Sequence, residues 1–567
     1  MTPSRRVGSP GMSGRAGLAA IGVSIAATVA VGAAGPSLME PPLPGAPGRP
    51  GSALPWSLDL GLSPYLAVGL AAASLAAGAL GLVLTLRATR SGWTVSPRYV
   101  LLAGVIAAIV VGTTRPFGTS DFLSYAAYGR ELMTGHNPYL VAPRALPGDP
   151  VARAVQDWAG TPSVYGALAT GVFGAASLIG GTSARLTVFA GDLVNAAAFV
   201  VTGALLYRLA RGRAARLRAA LLWTCNPLLL QVLVAGSHID GLAVAFSIAG
   251  LAVLFPVIPN APVMTPASAP LPATGWAGRA ALRGLAAGTL LGLGFAVKPT
   301  VLLVAAGLAI ALVRVGSAGR LTAACLAAGF GVVAAIDAAL IGTAGVAQTA
   351  RASGLVSVGS PWRAVRTVLS EFVTEPVADD IVRWCAVALA VILAAALLRR
   401  MNVTPSRLLA DERHIHPVAE AGVAAGAAFA LVLAWLMAWP YVLPWYDALA
   451  WALLALLPAS GLDWLLLART TVLAFGYLPA RATGITIPWG LRWMEPVLRS
   501  AVTPAVLAAL LVVLLWRLPP LVTMRDVYSA EGDNDRDLCG SGGNRADRRG
   551  GRRGRAPADL PRGAGVQ

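Results

Sequence analysis

The chain has 567 residues, of which 56% are hydrophobic and only 12% are charged. Soluble domains carry about 25% charged residues, so this composition excludes an ordinary soluble protein and indicates many membrane-spanning segments. The formal charge of +18 does not indicate a nucleic-acid partner, because much of the arginine lies in a C-terminal tail and in short loops, where the positive-inside bias explains it. The four cysteines are far apart, which predicts neither a disulfide framework nor a metal cluster: Cys225, Cys325, Cys385 and Cys539.

The N-terminal part of the chain predicts three spans that lead to an outer loop. Residues 1–16 precede the first apolar run, 17–35, which we interpret as an uncleaved span with the N-terminus inside. A Pro/Gly-rich stretch, 36–56, predicts an extended outer loop. The second and third spans, 65–86 and 99–112, are separated by an arginine-containing inner loop.

The longest polar interruption before the tail, residues 114–165, follows the third span. Asp121 stands near its start, and Tyr125 and Tyr128 recur behind it at helical spacing. The proline in GHNPY ends this helix, because proline disfavours helical geometry for Asn137 and has no amide to donate. We predict a short amphipathic helix on the bilayer surface, suited to a substrate with one end in lipid and the other in water.

The next two apolar runs raise a problem of parity. The second run, 186–209, ends in the cluster RLARGRAARLR, which is expected in the cytoplasm. We therefore predict that the first run, 166–180, is re-entrant or surface-lying, which is permitted where protein buries the irregular backbone. This choice gives about 14 crossings, the remaining spans being 219–235, 241–255, 281–297, 299–313, 321–341, 378–398, 417–437, 448–466, 470–484 and 500–518.

This topology divides the chain into a membrane body and two inner termini. The body, 17–522, includes a Pro-rich inner linker at 256–275. The tail, 523–567, is rich in Gly, Arg and Asp, so we expect it to be disordered and able to associate with anionic headgroups. The polar candidates described below all fall on the outer side, although only the arginines were used to assign the topology.

The outer loop resembles that of a known family. The pattern D-F-x-x-Y-x-x-Y-G-x-x-x-x-x-G-x-N-P-Y begins at Asp121 and is followed by Trp158 and by S-x-Y-G at 163–166. It resembles the first outer loop of the actinobacterial polyprenol-phosphate-mannose-dependent α-(1→6) mannosyltransferases, which are integral-membrane glycosyltransferases of the GT-C type. The resemblance implies an all-α, GT-C-like polytopic bundle. A looser similarity covers NPLLLQVLVAGSHID at 226–240, AVKP at 296–299 and PYVLPWYDA at 440–448.

Asp121 is the candidate catalytic residue. A carboxylate at the membrane surface is otherwise a solvated loop residue or a helix N-cap, but the GHNPY context and the resemblance favour catalysis. Tyr125 and Tyr128 either anchor the helix at the interface or line the site. Asn137 and Tyr139 join them as candidate substrate contacts through the motif.

Ionisable residues at the ends of later spans are further candidates. His238 and Asp240 form either a hydrogen-bonded turn or part of the site, because ionisable groups at the membrane edge are costly unless they are used. The family pattern here is H-N-D, whereas this chain has Ile239 between the two. Lys298, the one lysine in the chain, either snorkels to the interface or contacts a phosphate, for which a compact ammonium is a natural partner.

Aromatic segments complete the predicted site. An aromatic belt at the interface is the simpler interpretation of PYVLPWYD. A sugar, however, stacks its apolar face on aromatic rings while polar groups bind its hydroxyls. The candidates of this kind, two of them in the outer loop SVGSPWR, are Trp362, Arg363, Tyr441, Trp445, Tyr446 and Asp447.

The resemblance implies transfer of mannose from polyprenyl-phosphate-mannose to a lipid-anchored α-(1→6) mannan of the lipomannan type, at the outer side of the plasma membrane. A β-linked donor and an α-linked product imply inversion at C1. Asp121 would accept the proton of the acceptor hydroxyl, while cationic groups would stabilise the departing phosphate. Membrane lipids, donor and acceptor are the expected partners.

No cofactor is predicted, although Asp121 and Asp240 leave open a shared divalent metal ion. The chain carries no nucleotide-binding glycine loop, which fits a lipid-linked donor. The alternative function is a transporter or flippase for an envelope lipid or glycolipid, which predicts paired helical repeats and interrupted helices with charged groups at mid-membrane.

Overall fold

The computed structural model describes residues 10–41, 43, 54–256, 276–400, 417–479 and 486–517. Within these ranges the chain is helical, and its only β-type pairing is an isolated bridge between Trp56 and Thr114. The predicted fold class is confirmed: the chain is an all-α polytopic membrane protein. The cytoplasmic linker and the tail that the sequence predicts lie outside the described residues, apart from the linker's first residue.

Eighteen α-helices are described, with two π-helical segments beside them. In the first half they are α1 Pro10–Ala34, α2 Pro64–Arg90, α3 Pro97–Thr113, α4 Asp121–Met133, α5 Ala167–Gly180, α6 Ala184–Leu209, α7 Gly212–Leu222, α8 Pro227–Leu229 with the π-helix Leu230–Ala235, and α9 Asp240–Leu254. The second half contains α10 Trp276–Phe295, α11 Val301–Val313, α12 Ser317–Ser353, α13 Trp362–Leu369, α14 Glu375–Arg400, α15 Pro417–Ala438, α16 Ala448–Leu454, α17 Leu462–Gly476, and α18 Thr503–Arg517 after the π-helix Glu495–Val502.

The helices are long and apolar enough to build a membrane bundle. Eight helical stretches within the described ranges could cross a bilayer by length and composition, and four more apolar helices are shorter, namely α3, α5, α9 and α11. The stretch α12 extends beyond the predicted span to Ser353, and it consists of two helical segments that meet at a kink at Gly342, whose φ of 64° and ψ of −177° are not helical. A positive φ of this kind is accessible to glycine at little cost.

Two predicted spans near the C-terminus have the wrong bounds. The sequence predicts 448–466 and 470–484, whereas the structure has α16 ending at Leu454 and α17 occupying Leu462–Gly476. Arg469 lies between the two predicted spans, yet in the structure it is a residue of α17. The structure buries Arg469 in α17 and neutralises it with the carboxylate of Asp447.

The bundle has two distinguishable ends. At one end, which we call the arginine end, Arg90 at the end of α2 and Arg218 in α7 both pair with Asp463 at the start of α17, at 2.7 and 2.6 Å. Helix α2 has 27 residues, so its first residue lies about 40 Å from this cluster at 1.5 Å per residue. The opposite end, which carries Asp121, is called the site end.

Helix α5 begins and ends at the site end. The amide of Leu168 in its first turn donates to the carbonyl of Ala296, which is two residues from Lys298. Beyond its C-terminus, Arg185 donates to the carbonyl of Pro55 at 2.7 Å, and the following amide, that of Trp56, is bound to the end of α3. This arrangement agrees with the prediction that residues 166–180 do not cross the bilayer.

Helix α4 forms where the sequence predicts it, and most of it is covered by protein. Every residue from Phe122 to Gly129 is buried, because α5 packs along one side and the loop up to Tyr165 covers another. Gly129 is required for this packing, since a side chain there would collide with the backbone carbonyl of Phe173. The outer loop therefore folds back over this helix, and its position at the bilayer surface stays a prediction.

Candidate functional site

Asp121 is the first residue of α4 and does not act as a helix cap. Ser120 occupies the cap position without a capping hydrogen bond from its side chain, and its hydroxyl donates to Asp157 at 2.6 Å instead. Thr119 accepts the amide hydrogen of Asp121 at 3.2 Å. The carboxylate of Asp121 is thus left to face the interior of the site.

The partner that faces Asp121 is His238. The imidazole Nδ1 lies 3.7 Å from the carboxylate Oδ2, and the side chains are 1% and 18% exposed, respectively. Burial lowers the pKa of His238 well below its usual value, with a further contribution from the charge of Lys298. His238 is therefore neutral at physiological pH, and the pair is a polar contact between a carboxyl group and an uncharged imidazole.

Burial raises the pKa of Asp121 to about 7. The positive charge of Lys298 opposes this shift, whereas the carboxylates of Asp240 and Asp157 add to it, and a hydrogen bond from Trp158 lowers the pKa. A carboxyl group with a pKa near the working pH is well suited to proton transfer, because it is a stronger base than a solvated carboxylate and about half of it is ionised at that pH.

Lys298 is held in place from two directions. Its ammonium forms an ion pair with Asp240 and lies over the face of Tyr446, 3.8 Å from the ring centroid. A lysine ammonium has three hydrogen-bond donors, so the pair with Asp240 leaves donors for a substrate oxygen. The sequence also allowed a lysine that reaches out to the lipid headgroups. In the structure its ammonium is instead held by Asp240 and Tyr446.

His238 also stacks on Trp445. The ring centroids are 3.5 Å apart and the planes are inclined by 17°, while Tyr477 approaches Trp445 edge-on at 5.1 Å. Trp445 is only 3% exposed, so its ring has no free face for a sugar in this structure. The stack separates two small cavities of about 30 and 10 Å³, the second bordered by Asp240, Lys298 and Tyr446, and spaces of this size hold little more than a water molecule.

An aromatic cluster lines the site behind Asp121. Tyr125 stacks on Phe173 of α5 with ring centroids 4.8 Å apart, and the hydroxyl of Tyr165 donates to that of Tyr125 at 3.3 Å. Asp121 contributes to raising the pKa values of both tyrosines, although burial is the main cause. The carboxylate therefore lies close to this cluster, and Tyr125 belongs to the site.

Three other loop candidates hold the fold of the loop. The hydroxyl of Tyr128 donates to the carbonyl of Thr161, and that of Tyr139 donates to Thr170, each at 2.9 Å. The side chain of Asn137 accepts the amide hydrogen of Tyr139 at 2.9 Å. These contacts fix the path of the chain around α4. Burial raises the pKa of Tyr128, and the charges of Glu131 and Asp121 add to the shift.

The remaining candidates are divided between the site and a separate region. Tyr441 lies beside Tyr446, with ring centroids 6.2 Å apart. Asp447, by contrast, is fully buried and is neutralised by Arg469, with Thr470 donating to it at 2.7 Å. The structure therefore gives Asp447 the position of a framework residue.

The candidates of the outer loop SVGSPWR also lie apart from Asp121. The indole of Trp362 donates to the carbonyl of Ala438 at 2.7 Å and borders a largely apolar cavity of about 210 Å³ that Arg469 also lines. Arg363 is exposed on α13. Neither residue is brought to the Asp121 cluster.

Sequence reasoning missed three residues of the cluster. Trp158 and Tyr165 both stand in the quoted family motif, which is a signal in the sequence. Asp157 has no such signal, because its position depends on a backbone turn in which Trp158 adopts a φ of 67°, a conformation that non-glycine residues seldom adopt.

The described residues contain no group of three or more His, Cys, Asp or Glu side chains arranged to hold a metal ion. Asp240, one of the two residues for which a shared cation was left open, is engaged by the ammonium of Lys298. That the site needs no cofactor stays a prediction, with a divalent metal ion as its alternative.

Comparison with known proteins gives one family. Residues 19–315, just over half of the chain, match the family model described as alpha-(1→6)-mannopyranosyltransferase, N-terminal domain. A curated relative, alpha-(1→6)-mannopyranosyltransferase B of Corynebacterium glutamicum, is 32% identical over 142 residues. This stretch covers 24% of the chain and 24% of that relative. No solved structure matches the chain.

Proposed function

Because the chain belongs to the alpha-(1→6)-mannopyranosyltransferase family, we propose that it transfers mannose from polyprenyl-phosphate-mannose to a lipid-anchored α-(1→6) mannan. The observation that carries this proposal is the geometry of Asp121, a buried carboxyl group with a pKa of about 7 at one end of a membrane bundle, beside an ammonium that has donors to spare. A base next to a phosphate-binding cation is what an inverting transfer from a phosphate-linked sugar requires.

Asp121 is the proposed general base. The 6-hydroxyl oxygen of the acceptor attacks C1 of the mannosyl group as its proton passes to the Asp121 carboxylate. The bond between C1 and the phosphate oxygen breaks, and its electron pair leaves with the polyprenyl phosphate. A single displacement inverts a β-linked donor to an α-linked product, so the site needs one base and no nucleophile.

Lys298 is proposed to contact the departing phosphate. Charge on the leaving oxygens grows in the transition state, and a fixed cation in a site from which water is largely excluded stabilises that charge. Asp240 and Tyr446 hold the ammonium where it stands, so little reorganisation accompanies the reaction. A phosphodiester is already a good leaving group, and no general acid is required.

The lipid-linked donor and acceptor fit the position of the site. Asp121 lies at the end of the bundle opposite the arginine cluster of Arg90 and Arg218. Because arginine-rich ends face the cytoplasm, we assign the site to the outer side of the plasma membrane. A substrate whose lipid chain remains in the bilayer can present its sugar there without crossing the protein.

The test is transfer by the purified protein in lipid nanodiscs. Radiolabelled polyprenyl-phosphate-mannose and a short α-(1→6)-linked mannan acceptor are supplied, and the product is digested with linkage-specific α-mannosidases. Labelled product that only an α-(1→6) mannosidase releases is the expected result. Nanodiscs carrying the Asp121→Asn protein serve as the matched control. Absence of transfer from this donor by folded wild-type protein would refute the proposal.

A further inference from the structure

A buried glutamine borders the cavity of about 30 Å³ beside His238. Gln231 is 6% exposed, and its side-chain oxygen Oε1 has no hydrogen-bond partner within the described part of the chain. Its amide nitrogen donates to the carbonyl of Ala71 in α2 through a long bond of 3.4 Å. The bond to Ala71 orients the amide and leaves its oxygen as the free acceptor.

The backbone around Gln231 is unusual. Residues Leu230–Ala235 form a π-helix, a rare geometry that occurs frequently at functional sites. Gln231 is the one polar side chain of the run LLLQVLVA, and leaving its oxygen unpaired among apolar neighbours costs stability. An apolar residue would avoid this cost, so packing alone does not account for the glutamine.

The cavity connects Gln231 to the reacting end of the site. The ring of His238 lines the same cavity, and its Nδ1 atom is 3.7 Å from the carboxylate of Asp121. That nitrogen also lacks a hydrogen-bond partner among the described residues. A group held by Gln231 therefore lies against an imidazole that touches the proposed base.

The unpaired oxygen of Gln231 favours a hydroxyl group as the ligand of this cavity. The free oxygen of Gln231 only accepts hydrogen bonds, so it repels a phosphate or a carboxylate and favours a group that donates. The walls formed by Met39, Leu75 and Phe117 are apolar, and Trp445 and Tyr477 also line the cavity. A space of this size admits one hydroxyl or hydroxymethyl substituent but not a whole sugar ring.

We propose that Gln231 is a specificity-determining residue that accepts a hydrogen bond from one hydroxyl of the transferred mannosyl group. This inference rests on the proposed function. The bound hydroxyl then lies against the ring of His238, whose Nδ1 is 3.7 Å from the carboxylate of Asp121, and it fixes the rotation of the sugar relative to the base. A donor that lacks this hydroxyl leaves the buried oxygen unpaired, and sites of this kind discriminate strongly against such analogues.

The test uses the full-length protein in nanodiscs with a series of polyprenyl-phosphate donors, each lacking one mannosyl hydroxyl. The wild-type protein and Gln231→Met are compared, methionine being chosen because its side chain has a similar size and no strong acceptor. Thr202→Val is the control, since Thr202 is a buried residue of α6 whose hydroxyl donates only within its own helix. For every donor kcat/KM is measured.

We expect the wild-type protein to reject one of the deoxy donors by at least about 100-fold. Gln231→Met should reduce this preference at least about tenfold while the other deoxy donors keep their relative rates, and Thr202→Val should change none of the ratios. Gln231→Asn, which withdraws the oxygen by one methylene, should give an intermediate preference.

Two results would overturn the inference while leaving the proposed function intact. One is a uniform loss of rate for all donors in Gln231→Met, which would mean that Gln231 only supports the fold or binds a water molecule. The other is an unchanged preference in that variant. Failure of the wild-type protein to transfer mannose from the complete donor would instead refute the proposed function, and the inference with it.

Discussion

The ammonium of Lys298 lies over the aromatic face of Tyr446, 3.8 Å from the ring centroid. A cation in this position is attracted by the negative face of the ring, and the ion pair with Asp240 holds it from another side. The residue therefore has a fixed place beside the proposed base, and its charge is balanced before any substrate arrives.

The first prediction concerns that charge. Lys298→Met strands Asp240, and breaking a buried pair in this way costs about 3–5 kcal/mol, so loss of transfer by the single variant is ambiguous. The double variant Lys298→Met/Asp240→Asn removes both charges. We expect it to melt close to the wild-type temperature and yet to transfer mannose at a small fraction of the wild-type rate, because no ammonium remains for the phosphate.

Two further variants complete this experiment. Asp240→Asn keeps a hydrogen-bond acceptor for the lysine and should retain more activity than the double variant. Lys298→Arg keeps the charge but replaces a compact ammonium with a planar fork, which should impair a point contact. Wild-type rates in the double variant would show that Lys298 serves only to neutralise Asp240.

The second prediction is the pH dependence of transfer. A general base must be deprotonated, and burial raises the pKa of Asp121 to about 7. We therefore expect kcat/KM to rise with pH through about 7, so that the rate at pH 6 is roughly one-tenth of the plateau. Transfer rates measured from pH 5 to pH 9, with donor binding measured separately, test this prediction.

A neighbouring carboxylate gives the control for that profile. Asp157 helps to raise the pKa of Asp121, so Asp157→Asn should move the rising limb to lower pH while leaving its shape unchanged. A shift to higher pH, or a profile that does not move, would contradict the assignment of the limb to Asp121.

The third prediction separates Asp447 from the substrate. Asp447→Ala leaves the guanidinium of Arg469 buried without its counter-charge, so we expect the free energy of unfolding to fall by about 3–5 kcal/mol. The double variant Asp447→Leu/Arg469→Met replaces the pair by apolar groups and should recover most of that stability and transfer mannose. A stable double variant that no longer transfers would show that Asp447 contacts the substrate.

The fourth prediction is the sidedness of α5. In a protein with its four cysteines replaced, Leu140→Cys is at an exposed position of the outer loop, Thr182→Cys follows the end of α5, and Ser317→Cys is at the start of α12. We expect an impermeant thiol reagent to label the first two in intact cells. The third should be labelled only after the cells are opened. Protection of Thr182→Cys would mean that α5 crosses the bilayer.

The sequence predicts which residues meet better than it predicts how they are surrounded. The arginine distribution and the polar residues at span ends were enough to bring Asp121, His238, Asp240 and Lys298 to one end of the bundle, because topology restricts where span ends can lie. The burial of α4 could not be predicted from the positions of arginines and polar residues. It depends on the loop around Trp158 folding back, which is a tertiary event with no local signal.

Charge was the other limit of sequence reasoning. The sequence predicts Asp447 as a sugar-binding residue, because a lone charge in the membrane is expensive unless it is used, whereas the structure pairs it with Arg469. Their mutual pairing within the bundle removes that cost, and pairs distant in sequence cannot be identified from one chain. The stacking of His238 on Trp445 could not be predicted either, because the two residues are far apart in the sequence.

The most direct test of the central claim is the transfer rate of Asp121→Asn. Asparagine has nearly the same volume and keeps the hydrogen-bonding capacity of the position, and Asp121 does not cap α4 through its side chain, so we expect the variant to fold and to bind the donor. It loses basicity, and a positioned base contributes about 10²- to 10⁴-fold to the rate. The account predicts that purified Asp121→Asn protein with wild-type thermal stability and donor affinity transfers mannose at least about 100-fold more slowly. Transfer at a rate near that of the wild type would contradict it.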